Sequence, residues 1–202
     1  MVREETSRPV AGCLIEDQSC ARCPRLVASR RRIVHGCGDL TAGVVFVGEA
    51  PGRHGADRTG VPFSGDKSGR TLRRILLALG LAETEDPADV AGLRCFVTNA
   101  VRCCPPGNRT PAPAEVAACA PYLARELDLL EPRLIVPVGR VALHAVGLRY
   151  LGHDPGAIRP LHATPIHAGA RTIVPLVHPA RISYAQVAAF IAAMRPLLSE
   201  LV

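Results

Sequence analysis

Four cysteines are spaced as metal ligands often are. Cys20 and Cys23 form a Cys-x-x-Cys within CARCPRL, and Cys103 and Cys119 stand far downstream. Four thiolates satisfy either a tetrahedral zinc ion or an iron–sulfur cubane. Taken alone, the Cys-x-x-Cys is equally half of a zinc site, half of a cluster site or a redox pair. The redox reading wants a preceding strand in a thioredoxin-like unit, and none is evident. Cys119 also reads as a plain core residue, since unpaired cysteine is commonly buried. Cys13 or Cys37 is an alternative ligand, Cys95 belongs to an apolar run, and Cys104 has no assigned part. A second group of chemically useful residues follows apolar segments. These are Gly48-Glu49-Ala50-Pro51-Gly52, Asn99-Ala100-Val101-Arg102, Gly139-Arg140 and His178-Pro179-Ala180.

The elements that would position them are legible. Val44–Val47, Cys95–Thr98, Leu134–Val138 and Thr172–Val177 are continuous apolar runs, as expected of strands buried on both faces of a parallel sheet. Helical periodicity lies between and after them, over Ser68–Leu81, Pro113–Leu130, Gly139–Val146 and Ala185–Leu198, with Pro196 expected to disturb the end of the last. Alternating strands and helices predict an α/β fold with a mostly parallel sheet. In such folds ligands sit beyond the carboxyl ends of the strands, which is where the second group falls. Residues 1–40 are a Cys- and Arg-rich segment, and 147–171 is a Gly/Pro/His-rich connection.

Composition excludes several classes. The chain has 202 residues, 48% of them hydrophobic, which is enough for a buried core and too apolar for a disordered chain. The N-terminus, MVREETSRPV, has no apolar leader, and no run approaches the roughly 18–20 apolar residues of a membrane span. A cytosolic protein is expected, in which the cysteines serve purposes other than disulfides. The net charge is +6, carried by 24 cations of which Lys67 is the only lysine. Genomic bias explains most of the arginine excess, and arginine also suits phosphate contact. Schiff-base chemistry would have only Lys67 to use.

The run GEAPGRHGADRTGVPFSGDKSG at 48–69, followed by NAVRCCPPGNRTP at 99–111 and HPA at 178–180, resembles the iron–sulfur branch of the uracil-DNA glycosylase superfamily. The similarity extends from CARCPRL to the last helix. The first motif is most similar to family five (type b), whose pattern is GxAPxxHGADRTGxxFxGDxSG. GEAPG and the PF of GVPFSG are family-four (type a) features, and HPARISYAQ departs from the sequence that commonly follows HPS in family five.

The resemblance implies a single domain over residues 1–202, a three-layer α/β/α sandwich with a central, mostly parallel four-stranded sheet. It implies a [4Fe–4S] cluster on Cys20, Cys23, Cys103 and Cys119, with the N-terminal segment packed on it. It implies a monofunctional DNA repair glycosylase, a monomer acting on uracil-containing DNA by base flipping and leaving an abasic site, with other deaminated bases left open. Asn99 would read the base edge, Phe63 would stack on the base, and His178 with the backbone of Gly48, Glu49 and Ala50 would face uracil O2. Asp57 would position or activate water, supplemented by Glu49. Ser68 and Lys67 at a helix start, and Arg181 with Ile182 as a wedge, would engage DNA. Each has a plainer reading: a turn residue for Asn99, core for Phe63 and Ile182, a structural imidazole for His178, an ion pair with Arg58 for Asp57, and helix capping at Asp66 or Ser68. The alternative function is a non-catalytic iron–sulfur or zinc protein that binds nucleic acid. A redox protein is a third.

Overall fold

The computed structural model describes residues 11–201. The charged start of the chain, expected to lack an apolar leader, lies outside them. Strands β1 (Ala11–Gly12), β2 (Cys37–Asp39), β3 (Val44–Gly48), β4 (Phe96–Asn99), β5 (Leu134–Pro137), β6 (Ile166–Ala168) and β7 (Arg171–Ile173) form one sheet in the order β1-β2-β4-β3-β5-β7-β6. Its middle, β4-β3-β5-β7, is parallel, while β1, β2 and β6 pair antiparallel at the edges. The sheet thus has seven strands where four were expected. The four parallel strands are those of the apolar runs. The three additional ones are only two or three residues long and carry Gly, Asp and His, so no apolar run marks them.

Helices cover both faces. The main ones are α3 (Lys67–Ala78), α4 (Pro113–Leu130), α5 (Arg140–Tyr150) and α7 (Tyr184–Ser199); α1 (Pro24–Ser29), α2 (Ala56–Thr59) and α6 (Ile158–Leu161) are short. The alternation of strand side chains sorts β3 between two cores. Val44 and Phe46 pack with Leu72, Ile75 and Leu76 of α3 and Phe190 and Met194 of α7. Val45 and Val47 pack with Leu123 and Leu127 of α4 and Ala142 and Val146 of α5. That arrangement makes the three layers. A third, smaller core joins Leu26 of α1 and Ile33 to Val101 after β4 and Val116 of α4. It docks the N-terminal segment on the loop that follows β4.

Two proline effects differ from expectation. The last apolar run is split, because Pro175 has no N–H for the ladder. The parallel pairing with β5 resumes at Leu176, opposite Val138. Helix α7 runs through Pro196 to Ser199, since a proline so near the end forfeits one hydrogen bond without ending the helix. At its start, Ser183 Oγ accepts from the Gln186 N–H at 3.2 Å, and Gln186 Oε1 accepts from the Ser183 N–H at 3.0 Å. This capping box anchors the loop that carries His178. Ser183→Ala should cost about 1 kcal/mol, read as a melting temperature lower by roughly 2–4 °C.

Candidate active site

The carboxyl ends of the parallel strands open into one cleft of about 610 Å³. Its lining includes Glu49 and Ala50 after β3, Asn99 at the end of β4, Gly139 after β5, and His178. These are the strand-end residues marked in the sequence. The volume is that of a small-molecule or single-nucleotide pocket.

Three residues meet at the floor. A Cβ at Gly48 would overlap both Asn99 Oδ1 and the Phe63 ring, so only glycine lets the amide and the ring approach there. Asn99 is 3% exposed, and its Nδ2 is buried without a hydrogen-bond partner. A buried amide lacking a partner carries an unrecovered desolvation cost of about 1–3 kcal/mol, which a ligand acceptor would offset. Phe63 is held at φ +55°, left-handed for a residue with a side chain. Strain of this kind costs about 1–3 kcal/mol and gathers at ligand sites.

Two titratable groups face the same space. His178 Nδ1 accepts from the Ala180 N–H at 3.3 Å. That bond leaves the neutral ring with its proton on Nε2, a donor for the cleft. Glu49 Oε1 accepts from the Val141 N–H at 3.2 Å, in the first turn of α5. Gly139 enables this contact twice over, since its φ is +94° and a Cβ there would lie 2.5 Å from Glu49 Oε1.

Ser68, in the first turn of α3, lines the cleft, while Asp66 caps that helix by accepting from the Gly69 N–H at 2.8 Å. Lys67 is exposed and outside the lining, and Arg181 is within it. Ile182 is half-buried against the core layer of α3 and α7, together with Phe63. Asp57 does not line the cleft. It is 1% exposed, its Oδ1 accepts from the Arg31 N–H at 2.9 Å, and its Oδ2 lies 4.0 Å from Arg31 Nε. Its partner is therefore Arg31, not the Arg58 considered from sequence. Arg140, marked with Gly139 after its apolar run in the sequence, lines the cleft, as do Arg109 and Arg159, which were not singled out there. Arg109 is held by Glu115 at 2.6 Å and Arg140 by Asp154 at 2.5 Å, whereas Arg159 has no salt bridge among the described residues.

Behind the cleft, Cys20, Cys23, Cys103 and Cys119 line a second, small pocket with Arg30 and Tyr122. Arg30 Nη1 donates to Cys103 Sγ at 3.2 Å, and the Arg102 N–H donates to Cys119 Sγ at 3.3 Å. Burial pushes the Cys23, Cys103 and Cys119 thiols up, the last to about 11. Among the described residues no group of three or more His, Cys, Asp or Glu side chains is drawn to the spacing of a single metal ion. Four thiols around a shared pocket, two of them receiving N–H donors, fit a multi-iron group that would deprotonate them.

A parallel α/β sheet, an arginine-lined cleft at its carboxyl edge, and an unpaired amide beside a ring at the cleft floor define a protein built to hold a planar polar ligand. A family model described as the uracil DNA glycosylase superfamily matches residues 35–201. A protein named type-5 uracil-DNA glycosylase from Pyrobaculum aerophilum is 36% identical over 184 residues, 82% of this chain and 80% of its own length. Another of that name from Thermus thermophilus is 40% identical over 159 residues, 67% of this chain and 72% of its own. A protein named type-4 uracil-DNA glycosylase from Thermotoga maritima is 33% identical over 163 residues, 80% of this chain and 77% of its own. The chain belongs to the uracil DNA glycosylase superfamily. None of the described helices is long and apolar enough to cross a membrane.

Proposed function

We propose that the chain is a cytosolic, monomeric DNA repair enzyme that hydrolyses the N-glycosidic bond of uracil in DNA and leaves an abasic site. The observation that carries this reading is Asn99: a buried amide whose Nδ2 has no partner among the described residues, converging with the Phe63 ring on Gly48 at the floor of the cleft. One amide offers both a donor and an acceptor, which matches the O4/N3 edge of uracil. Phe63 stacks on the base that has been turned out of the helix. As the glycosidic bond breaks, negative charge builds on the departing base. With Nδ1 occupied as an acceptor, His178 Nε2–H donates toward that charge.

Water needs a carboxylate near the sugar. Glu49 lines the cleft and has one oxygen fixed by the start of α5, whereas Asp57 lies outside the lining, its Oδ1 accepting from the Arg31 N–H and its Oδ2 buried without a hydrogen-bond partner among the described residues. The geometry favours Glu49 for positioning water, with Asp57 holding the loop behind it. Ser68 at the start of α3, Arg159 and Arg181 receive phosphates. Lys67, the single lysine, stands outside the cleft lining, so no lysine amine is at hand to form a Schiff base with the opened sugar.

Cys20, Cys23, Cys103 and Cys119 would hold a [4Fe–4S] cluster. When bound, that group supplies a cross-link between the N-terminal segment, the loop after β4 and α4; hydrolysis calls for no electron from it. A brown protein absorbing broadly in the visible is the corresponding signature, against a colourless zinc form.

The test is a panel of oligonucleotides, each with one damaged base, offered to wild type, Glu49→Gln and Asp57→Ala. Glu49→Gln should lower single-turnover uracil excision by about 10²–10⁴-fold with binding retained. Asp57→Ala should chiefly lower stability. A folded Asp57→Ala protein with the larger loss would return the water-positioning role to Asp57. A protein that binds the oligonucleotides and releases no base would favour the non-catalytic reading.

A further inference from the structure

Four cysteines line neither the cleft nor the four-thiol pocket, and two of them, Cys13 and Cys37, fall at neighbouring strands. β1 pairs antiparallel with β2, with Ala11 opposite Asp39 and Gly12 opposite Gly38. The next rung of that register puts Cys13 opposite Cys37. Directly opposed residues of antiparallel strands share a face, with Cα atoms about 4.5–5.5 Å apart. This separation falls inside the roughly 4.4–6.8 Å that a disulfide spans. The two thiols influence each other's titration, as groups on one face of the ladder do. Both are free thiols.

The pair is asymmetric. Cys13 is exposed, whereas Cys37 is 2% exposed and packed in the core beside Cys95. The contact that lowers the Cys13 thiol to about 7 raises that of Cys37, and burial raises Cys37 further. An accessible thiol with substantial thiolate at neutral pH is the one that attacks. A buried thiol on the opposing strand is placed to resolve the product.

We infer that Cys13 and Cys37 form a thiol-exchange site that takes a small disulfide of the oxidised-glutathione class at Cys13 and closes to a Cys13–Cys37 disulfide. In the first step the Cys13 thiolate attacks one sulfur of the small disulfide. An S–S bond forms to Cys13, the S–S bond of the reagent breaks, and one small thiolate leaves. In the second step Cys37 gives up its proton and its sulfur attacks Cys13 Sγ, expelling the second small thiolate. The two protein thiols are oxidised to one disulfide, and the reagent is reduced to two thiols.

The placement gives the bond a consequence. The loop that it closes, residues 13–37, contains Cys20 and Cys23. Oxidation would tie the ligand-bearing segment to β2, and so to the central sheet, at the end remote from α1.

The experiment treats the purified full chain with oxidised glutathione while its iron content and visible absorption are followed. Peptides are then mapped by mass spectrometry without reduction. Wild type should yield the Cys13 and Cys37 peptides joined, reversibly with dithiothreitol. Cys37→Ser and Cys37→Ala should stop at a glutathione mixed disulfide on Cys13, and Cys13→Ser should give neither product. Excision of uracil by Cys13→Ser should equal that of wild type, because Cys13 lies outside the cleft, so the outcome is independent of the glycosylase reading. A wild-type chain that stays reduced would overturn the inference. So would one that joins Cys13 to a different cysteine, or a Cys13→Ser variant that still captures glutathione at Cys37.

Discussion

Asn99→Ala is expected to lower single-turnover excision of uracil by about 10²–10³-fold, the loss typical of one donor removed from a preorganised polar site. Binding of undamaged DNA should be unchanged, because Ser68, Arg159 and Arg181 are untouched. The stability of the fold should also change little. The Asn99 Nδ2 has no partner among the described residues, so truncation breaks no internal bond there and removes a buried donor whose desolvation is uncompensated. This combination separates a base-reading amide from a turn residue. A turn residue would change stability and leave excision nearly intact. Stopped excision assays on an oligonucleotide with one uracil, paired with thermal melts, distinguish the two. A melting temperature that falls while the excision rate holds would exclude Asn99 from base recognition.

What could be read from the sequence, and what could not, divides on physical grounds. The parallel strands were legible because burial on both faces leaves continuous apolar runs, and β3 and β5 are 0–3% exposed throughout their apolar residues. The edge strands were not. β2 is Cys37-Gly38-Asp39, and Gly38 adopts φ +134° where a Cβ would meet the Cys95 carbonyl. Such a strand exists because β4 offers an edge, and local propensity contributes almost nothing. In the site, Glu49, Asn99, Gly139 and His178 were legible because a parallel sheet exposes its strand ends at one edge. Asp57 lies on the single turn of α2, where rotation of about 100° per residue separates it from its neighbour Ala56, which does line the cleft. No pattern over four residues reveals that rotation. The arginines at the rim, Arg109, Arg140 and Arg159, come from three separate loops and helix starts. Arg140 was marked by its place after β5, but in a chain so rich in arginine nothing local marks Arg109 and Arg159.

The least legible feature is also the one with the largest expected effect on stability. Glu126 falls within the amphipathic helix α4, where a glutamate reads as a solvated charge. It is instead fully buried, as is Arg102, and the two are joined at 2.6 Å. Glu126 Oε2 also accepts from Thr98 Oγ1 at 2.6 Å, and Oε1 accepts from the Gly36 N–H at 2.9 Å. Arg102 Nη1 closes the ring by donating to Thr98 Oγ1. Thr98 precedes Asn99 of the cleft floor and Arg102 precedes the thiol Cys103, so the network holds the end of β4 and the four-thiol pocket in one register. Glu126→Ala strands a buried guanidinium and should cost about 3–5 kcal/mol, a fall in melting temperature of roughly 10 °C at this chain length. Replacing both partners with apolar residues, Arg102→Met with Glu126→Leu, should cost less than Glu126→Ala alone, since no unpaired charge remains. Because the double variant also releases Thr98, its excision rate should fall even where its stability is restored. Denaturant titrations of the two single variants and the double variant measure the coupling. Additive losses would mean that the ion pair is not the unit that holds this register.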